Sequence, residues 1–210
     1  MRHYIILIIV MTLSVMKAQY LENPNTSSLH ILGNIKTNKA KLVQQDVFSP
    51  YWVKDLKLLL PCENVKLPKK SSRLPNAPRN YRNGTHRGID FFANWGTDVR
   101  SVAPGVVIRA DHNYKEYSPK FRDEMLQACE IVGHTPSDIF NNVLLGRAVF
   151  IDHGFNLIPG FRTISIYAHL SHIDKKITGG TKIDAGEIIG KTGNSGTRPS
   201  TLGSKKESHL

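Results

Sequence analysis

The stretch Thr163-Ile164-Ser165-Ile166-Tyr167-Ala168-His169-Leu170 alternates polar and apolar side chains. Successive residues of a strand point to opposite faces, so this pattern predicts a half-buried β-strand. Thr163, Ser165, Tyr167 and His169 then share one face, and Ile164, Ile166 and Ala168 the other. His169 is thereby expected on the polar face, away from a core. Further runs of β-branched residues, separated by Gly and Pro turns, predict strands over Gly105–Ala110, 147–153, Lys182–Ile183 and 187–192. The expected fold class is mainly β, an antiparallel β-sheet or sandwich.

Residues 118–145 break this pattern. Ser118 is placed to cap a helix with Pro119 at its first position. Phe121, Met125, Cys129 and Val132 recur at helical spacing, and Gly133 supplies a stop. Thr135 reads as a second cap, followed by Pro136 and by Asp138 as a capping-box acid. The prediction is a two-helix insertion between strands, with Cys129 on its apolar face as a buried thiol.

Three segments carry side chains capable of chemistry. In His86-Arg87-Gly88-Ile89-Asp90, an extended chain turns residues 86, 88 and 90 to one side. An imidazole and a carboxylate then face the same space across Gly88, a donor pair that suits zinc. A surface histidine beside an acid has the same sequence signature. The second segment is the alternating stretch that ends at His169. His153, by contrast, shares a face with Val149 and Ile151 and reads as a structural histidine. The third is Glu207-Ser208-His209-Leu210, which alone reads as a chain end.

In this order the segments resemble the lysostaphin/LytM family of zinc metallopeptidases, which includes bacterial peptidoglycan endopeptidases. The resemblance covers residues 74–210 apart from the helical insertion. It rests on His86-x-x-x-Asp90, on Tyr167-Ala168-His169-Leu170, and on several elements between and after them. These are Gly96-Thr97, Val102-Ala103-Pro104-Gly105-Val106-Val107, Ile151-Asp152-His153-Gly154, Gly186-Glu187-Ile188-Ile189-Gly190 and Thr192-Gly193-Asn194-Ser195-Gly196. It implies the duplicated hybrid-motif β fold of LytM, Zn2+ as cofactor, and His86 and Asp90 as metal ligands. It also implies that His169 and His209 are catalytic, as general base and as stabiliser of the tetrahedral intermediate. The family closes on a His-x-His pair, and the second histidine of that pair is its third zinc ligand. That residue would follow Leu210 directly, so the resemblance implies a C-terminally truncated chain that stops short of it.

The implied activity is zinc-assisted hydrolysis of peptide bonds in peptidoglycan, in the cross-bridge or stem peptide. The alternative is a non-catalytic LytM-type regulator of other wall hydrolases. A lipoyl- or biotinyl-type carrier is a weaker match. The turn Ile183-Asp184-Ala185-Gly186 presents no lysine for attachment.

Charge and the N-terminus bear on location and partner. Lys and Arg number 28 against 17 Asp and Glu, a net charge of +11 that favours an anionic partner. Arg2 and His3 precede an apolar run from Tyr4 that is too short to span a bilayer comfortably, and Ala18 offers a cleavage position. Residues 1–18 are therefore expected to be a signal peptide, or an uncleaved anchor that would be the only membrane contact. Export to the periplasm, envelope or exterior argues against a nucleic-acid partner and for the anionic wall polymer. Residues 19–73 read as a leader and a basic, proline-dotted linker, and 74–210 as the peptidase domain. The linker ends directly at His86, where its arginines are placed to form a basic rim. Cys62 and Cys129 fit an oxidising compartment without requiring a bridge.

Overall fold

The computed structural model describes residues 50–210. The expected signal segment, 1–18, and most of the leader lie outside the described residues. Contacts divide the chain into Met1–Trp52 and Val53–Leu210, and the architecture below is that of the second unit.

The β-branched runs form the expected antiparallel strands. β1 (Pro78–Arg79) and β2 (Gly84–Thr85) make a short ribbon. β3 (Asp98–Arg100), β7 (His172–Ile173) and β9 (Ile188–Lys191) form a three-stranded sheet in the order β3-β9-β7. β4 (Gly105–Ala110), β5 (Val149–Ile158), β6 (Phe161–Tyr167) and β8 (Lys182–Ile183) form a four-stranded sheet in the order β6-β5-β4-β8. The register sets Val149 opposite Tyr167, and Ile151 opposite both Ser165 and Val107. Val107, Val149, Ile151, Leu170, Ile173 and Ile189 bury their side chains in one apolar cluster. The expected boundary near Leu74 falls inside the unit. Cys62 is fully buried in the same cluster, and the Leu59 N–H donates to Val102 O at 3.0 Å.

The alternation of β6 holds, but its faces are the reverse of the expected ones. Tyr167 is only 3% exposed, whereas Ile164 and Ile166 are 48% and 45% exposed. The partner strand decides this: β5 turns Val149, Ile151 and His153 inward, and Tyr167 and Ser165 pair on that same side. Their polar atoms find partners there, since Tyr167 Oη accepts the Val102 N–H at 2.8 Å. Burying a hydroxyl costs little once it is bonded.

Helix α1 (Pro119–Val132) begins as expected, with Ser118 Oγ accepting the Phe121 N–H at 3.2 Å. It ends on Gly133 in the left-handed conformation, φ 76°. Cys129 is fully buried and free, packed with Ile139, Val143 and Leu144. The second helix differs from expectation. It is a single turn, α2 (Ser137–Ile139), which runs into a wider turn over Phe140–Leu144 closed by Leu145 N–H to Phe140 O at 3.0 Å. Thr135 does not cap it. Its hydroxyl donates to Arg82 O at 2.6 Å and accepts from Arg82 Nη1 at 3.0 Å, so a buried arginine has taken the cap side chain. A last turn, α3 (Arg198–Thr201), is capped by Thr197 Oγ1.

Candidate active site

His86 to Asp90 does not join a ladder, yet residues 86, 88 and 90 turn inward while Arg87 and Ile89 face solvent. Backbone bonds from His86 N–H to Ala77 O and from Asp90 N–H to Arg73 O hold the stretch extended. His86 Nδ1 lies 2.9 Å from Leu74 O, and Nε2 lies 2.8 Å from Asp90 Oδ1. A carbonyl only accepts, so in the neutral ring Nδ1 carries the proton and Nε2 presents a lone pair to the carboxylate. Such a pairing is favourable only with a proton or a cation at the site. Arg79 Nη2 supports the other carboxylate oxygen at 3.5 Å.

His169 is not placed by strand alternation. β6 ends at Tyr167, and His169 adopts φ 58°, an uncommon conformation for a residue with a Cβ. Its N–H donates to Leu145 O at 2.9 Å, and Leu170 N–H donates to Arg147 O at 3.0 Å. Nδ1 donates to Ser195 O at 2.7 Å, which leaves Nε2 without a protein partner among the described residues. The Ser195 carbonyl is reached because Gly146 and Gly196 bring two backbones together. A Cβ on Gly146 would lie 2.3 Å from the Ser195 carbonyl. Burial first, and then the neighbouring His209, push the His169 pKa down to about 3, so the ring is neutral.

His209 is brought alongside by short antiparallel bridges to Phe92 and Gly193. Phe91 and Leu210 exchange both backbone bonds, at 3.0 and 3.1 Å. The His209 ring stacks on Phe92 with centroids 5.1 Å apart and lies 4.6 Å from the His169 ring. Its Nδ1 is held by Glu207 O at 2.6 Å.

His86, Asp90, His169 and His209 all line one cleft of about 1180 Å³. Arg79, Arg82 and Arg87 of the basic stretch line it too, as the expected rim. His153 is excluded from it. Only 3% exposed, His153 donates from Nδ1 to Pro104 O at 2.7 Å and accepts at Nε2 from Ser165 Oγ at 2.8 Å. It is the structural histidine that its strand position predicts.

The donor set fits zinc in kind, an imidazole nitrogen and a carboxylate oxygen oriented by a backbone carbonyl. It does not fit in number. Among the described residues no group of three or more His, Cys, Asp and Glu side chains is arranged to hold a metal ion. The sequence reading missed the Ser195 carbonyl, Phe92 and Arg122, another residue of the cleft wall. Only Arg122 had a signal: it stands seven residues before Cys129, on the helical face that turns inward.

No family model and no curated protein matches this chain. Among solved structures it is similar to Helicobacter pylori Csd3, at 17% identity over 74% of this chain and 28% of that one, TM-score 0.38. It is similar to a zinc-containing peptidase from Vibrio cholerae, at 18% identity over 75% of this chain and 32% of that one, TM-score 0.34. The catalytic domain of lysostaphin from Staphylococcus simulans shows 20% identity over 77% of this chain and 81% of that one, TM-score 0.36. The chain thus spans about a third or less of the first two.

Proposed function

We propose that this chain is an exported zinc metalloendopeptidase that hydrolyses peptide bonds of bacterial peptidoglycan. The observation that carries the reading is the convergence of two pairs, His86 with Asp90 and His169 with His209, on one cleft. The ordered motifs that resemble the lysostaphin/LytM family agree with it. His86 Nε2 and Asp90 Oδ1 are the atoms that would hold zinc. When bound, zinc supplies Lewis-acid polarisation of the scissile carbonyl and lowers the pKa of the attacking water.

The rest falls to side chains. His169, neutral and open at Nε2, accepts the proton of the attacking water there. Burial makes it a weak base, so the proton is held briefly and passes to the leaving amine. His209, fixed through Nδ1 and stacked on Phe92, presents its other nitrogen to the same space. The net charge of +11 favours an anionic wall. Export rests on the basic, apolar N-terminal segment. Among the described residues no helix is long and apolar enough to cross a membrane.

A second reading, a non-catalytic LytM-type regulator, is favoured because, among the described residues, no group of three or more metal donors converges. Purified protein is to be incubated with zinc, assayed for bound metal, and mixed with purified peptidoglycan while new amino groups are counted. The expected result is amine release that chelation and His86→Ala both abolish. Binding to the wall without amine release supports the regulator, and neither metal nor hydrolysis sinks the enzyme.

A further inference from the structure

Five arginines line the cleft wall: Arg79, Arg82, Arg87, Arg122 and Arg198. Four have their guanidinium groups occupied. Arg82 bonds Thr135 Oγ1 and Thr85 O, and Arg87 bonds Thr135 O at 3.2 Å and lies over the Phe140 ring. Arg79 meets Asp90 and Ser72 O, and Arg198 holds Asp123 at 2.9 and 3.2 Å. Arg122 differs. It is 8% exposed, and its one side-chain hydrogen bond among the described residues runs from Nε to Gly196 O at 3.3 Å.

The carboxylates near Arg122 are spent elsewhere. Asp123 belongs to Arg198. Glu116 accepts from the Gly196 N–H at 3.2 and 3.1 Å, from Ser200 Oγ at 2.6 Å and from Tyr114 Oη at 2.9 Å. Arg122 therefore brings a charge to the cleft wall with neither terminal nitrogen bonded to protein among the described residues, and both are open to the cleft and to an anion in it. A guanidinium fork matches a carboxylate through two parallel bonds.

Its position relative to the chemistry is fixed by one loop. The Ser195 carbonyl holds His169 Nδ1, and the next carbonyl, of Gly196, holds Arg122 Nε. The base and the guanidinium are thus anchored one peptide unit apart. An anion held by Arg122 would therefore lie on the same cleft wall as the bond offered to His169.

We propose that Arg122 is a carboxylate receptor that makes the cleft selective for peptides bearing a free carboxylate beside the bond presented to His169. The peptide nature of the ligand rests on the hydrolase reading above; the anion preference rests on Arg122 alone. The carboxylate is either the C-terminal one of the peptide or the α-carboxylate of a γ-linked glutamate.

The test uses a fluorescein-labelled stem pentapeptide, Ala-γ-D-Glu-Lys-D-Ala-D-Ala, and two relatives, one with a C-terminal amide and one with isoglutamine for glutamate. Binding to the full chain is followed by fluorescence polarisation, so neither cleavage nor metal is needed. One amidation is expected to weaken binding at least tenfold, and which one does so identifies the source of the carboxylate. Arg122→Gln should reduce the parent peptide to the level of that amide without changing the amide itself. Arg122→Lys should keep part of the preference, as a point charge without the fork. Equal binding of all three peptides, or absent binding, overturns the proposal whether or not the wall is hydrolysed. An equal loss for all three in Arg122→Gln also overturns it. Carboxylate preference without hydrolysis leaves the receptor standing and removes only the enzyme.

Discussion

His153 and His169 belong to the same pair of neighbouring strands, one inside β5 and one just past β6, and have opposite fates. His153 sits inside β5, with both ring nitrogens bonded and 3% of its surface exposed. His169 lies just past β6, half-buried, with one nitrogen bonded and the other open to the cleft. A fully bonded ring has no capacity left for a substrate, whereas a ring held at one end keeps a directed lone pair. The difference between the two rings here is one hydrogen bond. It arises because β6 stops two residues before His169.

The comparison breaks most directly at His169. His169→Ala is expected to lower amine release from peptidoglycan by about 10²- to 10⁴-fold, with the melting temperature nearly unchanged. Activity within tenfold of the parent would remove the distinction. His153→Ala should do the reverse. It leaves a cavity, strands Pro104 O and leaves Ser165 Oγ with only Tyr167 Oη, and a loss of about 2–4 kcal/mol in urea unfolding is expected, with activity per folded molecule retained.

Ser165→Ala removes one partner of His153 and should cost about 1 kcal/mol by the same measurement. Folding stability should also depend on pH. The His169 pKa is lowered from 6.5 to about 3 on folding, so the unfolded chain binds the extra proton. That share of stability is complete above about 6.5 and is lost as pH falls towards about 3. His169→Asn should flatten this slope in unfolding curves taken across that range, and an unchanged slope would assign it to other groups.

The strands were legible because alternation is a physical record of which side of a sheet is dry. The reading of β6 went astray because it assumed that the apolar side is the inner one. Ser165 and Tyr167 go inward because His153 and the Val102 N–H are waiting for them, and no single-strand pattern contains that partner. The three-residue β3 and two-residue β7 are too short to show a period. His86 and Asp90 were legible as a pair because the chain remains extended there even without a ladder. His209 could be connected to His169 only by family resemblance, since the bridges to Phe92 and Gly193 are long-range. Arg122 was hidden by its type. A charged residue near a helix start reads as solvated, although its spacing to Cys129 shows otherwise.

The left-handed backbone of His169 has a consequence for selection. A side chain with a Cβ is held at φ 58° at a cost of order 1 kcal/mol, which glycine or asparagine would relieve. A library screened for heat resistance alone would therefore enrich replacements at position 169, while the same library screened for wall lysis would discard them. Opposed pressures on one codon would mark position 169 as a residue kept for activity at the expense of stability.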